Sequence, residues 1–462
     1  MPDHSEVPAV TRAIVDYAHH DRPVDLSPEP VELAVRSLVD TIGVLLAGRT
    51  EGSVSQLRAN FGSRKNRSAT STVLFDGGKT DPETAALLNG TAAHALDYDD
   101  VAIVTHAHPS AVLWPAISAL AEKHGASGLE MIEAYLVGYD VSAAIARGMD
   151  LMTHYWRGWH TTSTIGIFGA VAAAGRMLRL NTDQLRCAIG IAGSMAAGSC
   201  QNFGTMTKPL HAGLAARGGL FAANLAAHGF TADQDQLEAP LGFFRSYSED
   251  QRLEGAMEVL RTESPISVYG LNFKQYPCCY AAHRAISAAL RLKSEHQIDA
   301  SEIEKIELVL HPHGFESLIH HQPENPVEAK FSGEYAVATA LLDGAVPLRS
   351  FTPEAIARPA VRRLLELVQI SELAIPPLGN EAWNRGYAVV RVTSARGEFS
   401  ERVDSLDGDQ LAGLTRDVVE EKFRDCVEFA AIGSRPDDLL EELWDLPERQ
   451  HFDGFKSLVF DS

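Results

Sequence analysis

The chain has 462 residues and a formal net charge of −21, long enough for two or three domains around a large core. Its apolar fraction of 45% and charged fraction of 22% are those of a globular protein and exclude a disordered, collagenous or repeat chain. The negative charge argues against a nucleic-acid partner and against docking on an anionic membrane.

That charge is unevenly spread. Residues 140–220 hold seven Arg or Lys against three Asp or Glu, whereas the last 62 residues hold seventeen acidic side chains against seven basic ones. A local basic pocket for an anionic substrate is therefore compatible with the acidic total, and the acidic end reads as a solvated helical face. Five cysteines (187, 200, 278, 279 and 426) make no CxxC pair and no zinc spacing, which fits a reducing compartment. The opening "MPDHSEVPAV" has no basic run ahead of an apolar core, and no apolar run reaches the roughly 20 residues of a bilayer span. A soluble, cytoplasmic protein is expected.

In chain order, "SPEPVELAVRSLVDTIGVLLAG" (27–48) places Val31, Val35, Leu38, Ile42 and Leu45 on one stripe of a helix, between Ser27–Pro28 and a closing Gly48. "DPETAALLNGTAAHALDY" (81–98) starts another, with Asp81 as N-cap and Pro82 at the first helical position. His94 and Asp97 are three apart and are expected to share its last face. Residues 161–228 are rich in Ala, Gly, Ser and Thr, in helix-length runs such as "TIGIFGAVAAAGRMLRL" and "CAIGIAGSMAAGSC". Such small side chains suit closely packed helices at the centre of a large helical domain.

After about 265 the pattern changes. "IEKIELVLHP" alternates as a strand, "GEYAVATALLDG" is a short helix ending near Gly344, and "YAVVRVTSARGEFSERVDS" reads as two strands joined through Ala395-Arg396-Gly397. "TRDVVEEKFRDCVEFA" returns to helix. The expected architecture is mainly α: an all-helical domain from 1–265 and 403–462, with a smaller α+β domain over 266–402.

Four clusters carry chemistry. "HALDYDDVAIVTHAHPSAV" (94–112) sets Asp97, Asp99 and Asp100 within four positions, with His106 and His108 shortly after. These groups could neutralise one another, bind a metal or exchange protons with a substrate. "RGWHTTSTIG" contains His160, a proton-transfer candidate or a hydrogen-bonded core histidine. "GTMTKPLHAG" places Lys208 just before Pro209, read as the first helical residue. A cation there sits beside the positive end of the helix dipole, which makes sense if an anion shares the site; otherwise it is a surface lysine. "NFKQYPCCYAAH" puts Lys274 and Tyr276 ahead of a further helix. The His-x-His of "VTHAHPS" also occurs in barrel hydrolases, but here it follows a helix with no strand–helix alternation after it, so no metal is expected.

Taken together, "NGTAAHALDYDD", "HPSAV", "GWHTTSTIG", "TKPLHAGLAARGG", "FKQYPCCYAAH", "AKFSGEYAVATALLDG" and "VEEKFRDC" resemble, in order and over nearly the whole chain, the MmgE/PrpD family. That family includes 2-methylcitrate dehydratases, cis-aconitate decarboxylases and an iminodisuccinate epimerase. The resemblance implies a large helical domain with a smaller α+β lid, a homodimer, and chemistry without metal or other cofactor. It implies active-site positions at Asp97, His108, His160, Lys208 and Lys274; Thr105 and Tyr276, in the same stretches, are expected with Lys208 and Lys274 to bind substrate. Asp99 and Asp100 are then expected to shape the turn, and His106 to be a loop residue. One departure is local: the decarboxylase-like pattern has Thr directly after the paired aspartates, where this chain has Val101. Either that hydroxyl is missing or Thr105 supplies it.

The reaction implied is a metal-free lyase on a small di- or tricarboxylate, in first place dehydration of a citrate-like hydroxy acid. Lys208 and Lys274 would bind carboxylates and stabilise charge building next to one. His160 and His108 would move protons, with Asp97 orienting one of them. An epimerase of a succinate-like acid is the alternative, and a cis-aconitate-type decarboxylase, marked down by Val101, comes third.

Overall fold

A computed structural model describes residues 9–61, 69–377, 386–406 and 414–460. The chain divides into two compact units, the first from residues 1–201, 207–273 and 411–462, the second from 202–206 and 274–410. The architecture is mainly α with one smaller α+β part. Among the described residues no helix is long and apolar enough to cross a membrane.

Among its described residues the first unit is helical apart from a two-stranded ribbon, Ser71–Thr72 with Lys79–Thr80. Helix Pro28–Ala47 has Ser27 and Gly48 at its ends and is buried along nearly its whole length, as its wide apolar stripe requires. Helix Pro82–His94 is capped by the Asp81 side chain, which accepts from Thr84 N–H. It stops at His94, three residues before Asp97, which takes a left-handed φ of 53°. The expectation that His94 and Asp97 share a helical face is therefore corrected: the chain has left the helix before the first aspartate. The run "CAIGIAGSMAAGSC" also ends early, its helix being Thr182–Gly193.

Two glycines decide how the site is assembled. A Cβ on Gly90 would lie 2.9 Å from Gly213 Cα, and one on Gly213 would lie 2.3 Å from the Leu87 carbonyl. Helices Pro82–His94 and Thr207–Ala227 can cross this closely only because both positions lack side chains. That crossing brings the end of the first helix to the start of the second. The returning helix Arg416–Ala430 packs on Pro28–Ala47, where Lys422 Nζ lies 2.6 Å from Asp40 Oδ1 and donates to the Tyr98 carbonyl at 2.7 Å. Breaking a buried pair of this kind costs about 3–5 kcal/mol. Here it also pins the backbone between Asp97 and Asp99.

The second unit carries a four-stranded sheet in the order Val368–Glu372, Ile303–Leu310, Ala388–Ser394, Gly397–Val403. The first pair is parallel and the others antiparallel, with Leu308 opposite Val390 and Val392 opposite Phe399. Ile306, Leu308 and Leu310 are buried on the alternation read from sequence. Helices His283–His296 and Gly333–Asp343 accompany the sheet, the latter ending at Gly344 in the left-handed region.

Candidate active site

Four of the five expected catalytic positions come together in the helical unit. Lys208 is buried within the first turn of helix Thr207–Ala227, which begins two residues before Pro209. Its Nζ donates to Asp97 Oδ1, so the carboxylate offsets the unfavourable placing of a cation at a helix start. The left-handed turn at Asp97 aims that carboxylate at the lysine. Asp97 therefore serves Lys208 first; His108 Nε2 stands 3.9 Å from the same oxygen.

The carboxylate facing the imidazoles is Asp99, which corrects its reading as a turn residue. His94 Nδ1 donates to Asp99 at 2.9 and 3.0 Å. His108 Nδ1 lies 3.3 Å from Asp99 Oδ2, close enough for ion pairing but misaligned for a hydrogen bond. Burial alone would raise the Asp99 pKa, but the two imidazoles outweigh it and hold the carboxyl well below its usual range. His94, fully buried, is pushed down to about 3 by desolvation, with Lys208 and His108 adding to the effect. The pair is thus an anion beside a neutral ring whose Nδ1–H points at it. Asp100 is different again: it accepts from Ser110 and is raised by burial and by the charge of Asp40.

His160 precedes the short helix Thr161–Thr164, held by a backbone bond from its N–H to the Gly198 carbonyl at 3.0 Å. Its ring stacks on His94 with centroids 5.8 Å apart, while His94 and His108 are 4.5 Å apart. Its Nδ1 lies 3.0 Å from Nδ1 of His211, one helical turn beyond Lys208. Desolvation first, then the cation of Lys208 and the neighbouring rings, push His160 well below its ordinary value. Of these side chains His108 is the most open, 13% exposed against 0% for His94 and Asp99.

Thr105 is buried and its hydroxyl donates to the Ala102 carbonyl of its own loop at 3.1 Å. The Thr162 hydroxyl accepts from the His108 backbone N–H at 3.2 Å. His106 sits in the left-handed region at the end of a single 3₁₀ turn. Val101 exchanges two backbone hydrogen bonds with Asn272, at 2.8 and 2.9 Å, which ties the chain two residues before Lys274 to the aspartate loop. Lys274, fully buried, and Tyr276, whose hydroxyl is 3.3 Å from that of Ser287, belong to the second unit.

Reasoning from sequence missed His94, Asp99, His211 and Thr162 as members of the cluster. Each lies inside a stretch already singled out, and the spacing of Lys208 and His211 at i and i+3 was the available signal. Donor atoms of His94, Asp97, Asp99 and His108 all lie within 4.8 Å of one another, a set chemically able to hold a divalent ion. To do so the ion would have to displace Lys208 from Asp97 and the His94 Nδ1–H from Asp99, so the donor set is already compensated by the chain.

Residues 12–256 match the MmgE/PrpD N-terminal domain and residues 276–446 the MmgE/PrpD C-terminal domain. The cis-aconitate decarboxylase of Homo sapiens is 29% identical over 429 residues, covering 90% of this chain and 87% of that protein. The enzyme of the same name from Mus musculus is 28% identical over 437 residues, with 90% and 86% covered. The one from Aspergillus terreus is 25% identical over 394 residues, with 79% and 78% covered. A match through both domains, with the motifs of Asp97, His108, His160 and Lys208 folded into one buried cluster, places the chain among the enzymes of the MmgE/PrpD family.

Proposed function

We propose that the protein is a lyase that decarboxylates a small unsaturated polycarboxylate of the cis-aconitate type. The observation that carries this reading is the cluster itself: a buried lysine paired to one aspartate, and an imidazole pair gathered on a second, in a chain similar along its length to decarboxylases.

Loss of CO₂ breaks a carbon–carbon bond and leaves its electron pair next to a remaining carboxylate. In water that enediolate-like charge is very costly. A cation fixed before the reaction begins stabilises it without reorganisation, an effect worth about 10²–10³ in rate per donor. Lys208, held by Asp97 at a helix start, has the chemistry for this; Lys274 is assigned to carboxylate binding on the resemblance alone, with Tyr276 as a neighbouring candidate. The electron pair must then take up a proton, supplied by an imidazole. His108 is the more open ring, and with its Nδ1–H turned to Asp99 its Nε2 is a lone pair that accepts a proton, so delivery of a proton to carbon falls to His160. His160 is kept neutral by its surroundings and donates or accepts as a neutral group. In place of the hydroxyl missing at Val101, Thr162, whose oxygen accepts from the His108 backbone N–H, is the candidate hydroxyl for a substrate carboxylate.

Dehydration of a citrate-like hydroxy acid is the second reading, since the same lysine and imidazoles would serve α-proton removal. Proton NMR of metal-stripped protein with cis-aconitate, citrate and 2-methylcitrate in D₂O separates the two. Decarboxylation gives a new alkene with loss of carbon and one deuterium per turnover. Dehydration gives an alkene from a saturated acid with carbon conserved. Deuterium entering an α-position with no new alkene would replace both readings with epimerisation, and silence toward every acid would overturn the lyase assignment.

A further inference from the structure

We infer that His211 is a positioning residue for His160 and relays protons to it, so that His160 exchanges protons with substrate while remaining uncharged. This rests on the lyase reading for its chemistry but on geometry for the pair itself.

Two Nδ1 atoms 3.0 Å apart can form a hydrogen bond only if one of them carries a proton and the other a lone pair. In the neutral pair this links the tautomers. If His211 Nδ1 holds the proton, His160 carries its own on Nε2 and can donate it. If His160 Nδ1 holds the proton, its Nε2 is a lone pair and can accept. Lys208 and His211 on one helix, His94 at the end of another and His108 on the loop all surround His160. An imidazolium among them would be buried beside an ammonium. His211, under desolvation and the same lysine, is pushed down to about 4, so both partners are neutral at pH 7.

The relay balances as follows. His160 Nε2–H passes its proton to the carbon that has lost CO₂. The His211 Nδ1–H moves to His160 Nδ1, and His211 Nε2 takes a proton from water. Neither ring becomes an anion or a cation, and both end in the opposite tautomer. When the site refills, water protonates His160 Nε2, the shared proton returns to His211 Nδ1, and His211 Nε2 releases one. The net uptake is one solvent proton, matching the one delivered to carbon.

His211 is buried, and a cavity lies one helical turn further along its helix. This cavity of about 310 Å³ is lined by Ser163, Ile167, Leu214, Ala215 and Arg217. Ser163 donates to the His211 carbonyl at 3.2 Å, and Leu214 and Ala215 follow His211 within one helical turn. The cavity therefore begins within one residue's reach of the relay and holds room for several waters.

Two measurements test this. In ¹⁵N-histidine-labelled protein at pH 7, with His160 and His211 assigned by single substitution, one ring should show a protonated Nδ1 and the other a protonated Nε2. Both rings protonated only on Nε2, or either ring charged, would overturn the relay whatever the protein catalyses. In the second, His211→Asn keeps a hydrogen-bonding group near the Nδ1 position but cannot pass a proton on. kcat should fall about 10–100-fold, within the range of acid–base effects, with KM within threefold and free imidazole restoring part of the loss. An unchanged kcat, or a loss that imidazole leaves untouched while KM rises equally, would reduce His211 to packing. If no acid is turned over, the lyase reading fails while the NMR result still judges the pair.

Discussion

Asp99 and Asp140 are both buried aspartates in the helical unit, and their carboxyl groups have opposite proton affinities. Asp99, at the end of the aspartate loop, faces His94 and His108 and is held well below the usual carboxylate range. Asp140, inside helix Gly128–Arg147, faces the Tyr17 hydroxyl at 2.7 Å and is raised by burial to about 7. Desolvation is the largest influence on each. The neighbours decide the outcome: His94 and His108 outweigh the desolvation of Asp99, whereas the Tyr17 hydroxyl, Arg22 and the Ile266 N–H together do not outweigh that of Asp140. The same contrast separates a region that keeps its carboxylate charged from one that holds its carboxyl proton.

The largest expected effect comes from removing the charge that organises the first region. Asp99→Asn keeps the shape but loses the anion that fixes the Nδ1–H of His94 and attracts that of His108. The kcat for the acid turned over should fall by about 10²–10⁴, the range of a general acid–base contribution, with a smaller change in KM. An activity within threefold of the parent would show that Asp99 is structural, and the contrast with Asp140 would then have no functional content.

Lys208→Met sharpens the same point from the cationic side. It removes the partner of Asp97 and the fixed positive charge, so KM should rise and kcat should fall by about 10²–10³. Both parameters move because carboxylate binding serves ground state and transition state alike. Unchanged kinetics would take Lys208 out of the mechanism.

Much of this was legible before folding. Helix ends at Ser27–Gly48 and at Asp81 follow from capping and periodicity, and the strand Ile303–Leu310 from its alternation. Four of the nominated polar residues meet in one place because they sit at helix ends and turns, where side chains project out of the packed core. What the sequence could not show is pairing. Asp97, Asp99 and Asp100 look interchangeable in "DYDD", yet a left-handed φ at Asp97 sends the first to Lys208, the second meets the imidazoles and the third meets Ser110. The close crossing at Gly90 and Gly213 that brings His211 and Lys208 to the loop is a property of two distant segments, and nothing in either alone encodes it.

The smallest expected effect tests the other half of the comparison. Because the folded state holds the Asp140 proton up to about pH 7 while the unfolded chain releases it near 4, the native state binds more protons between those values. Stability from this group must therefore fall as pH rises from about 4 to about 7 and stay level above. Asp99 has the opposite sign: its contribution is present above the unfolded value and is lost as pH falls through its folded one. Asp140→Asn removes the titration without touching the imidazole cluster. Relative to the parent, its stability by urea denaturation should improve by about 2–3 kcal/mol between pH 5 and pH 8, at roughly 1.4 kcal/mol per pKa unit, with kcat within twofold. Reporting the change between two pH values cancels whatever the amide costs in packing, which a single melting temperature would not. A parallel pH dependence in parent and variant would mean that Asp140 is ionised in the folded protein, and that burial beside a phenol is not enough to hold its proton.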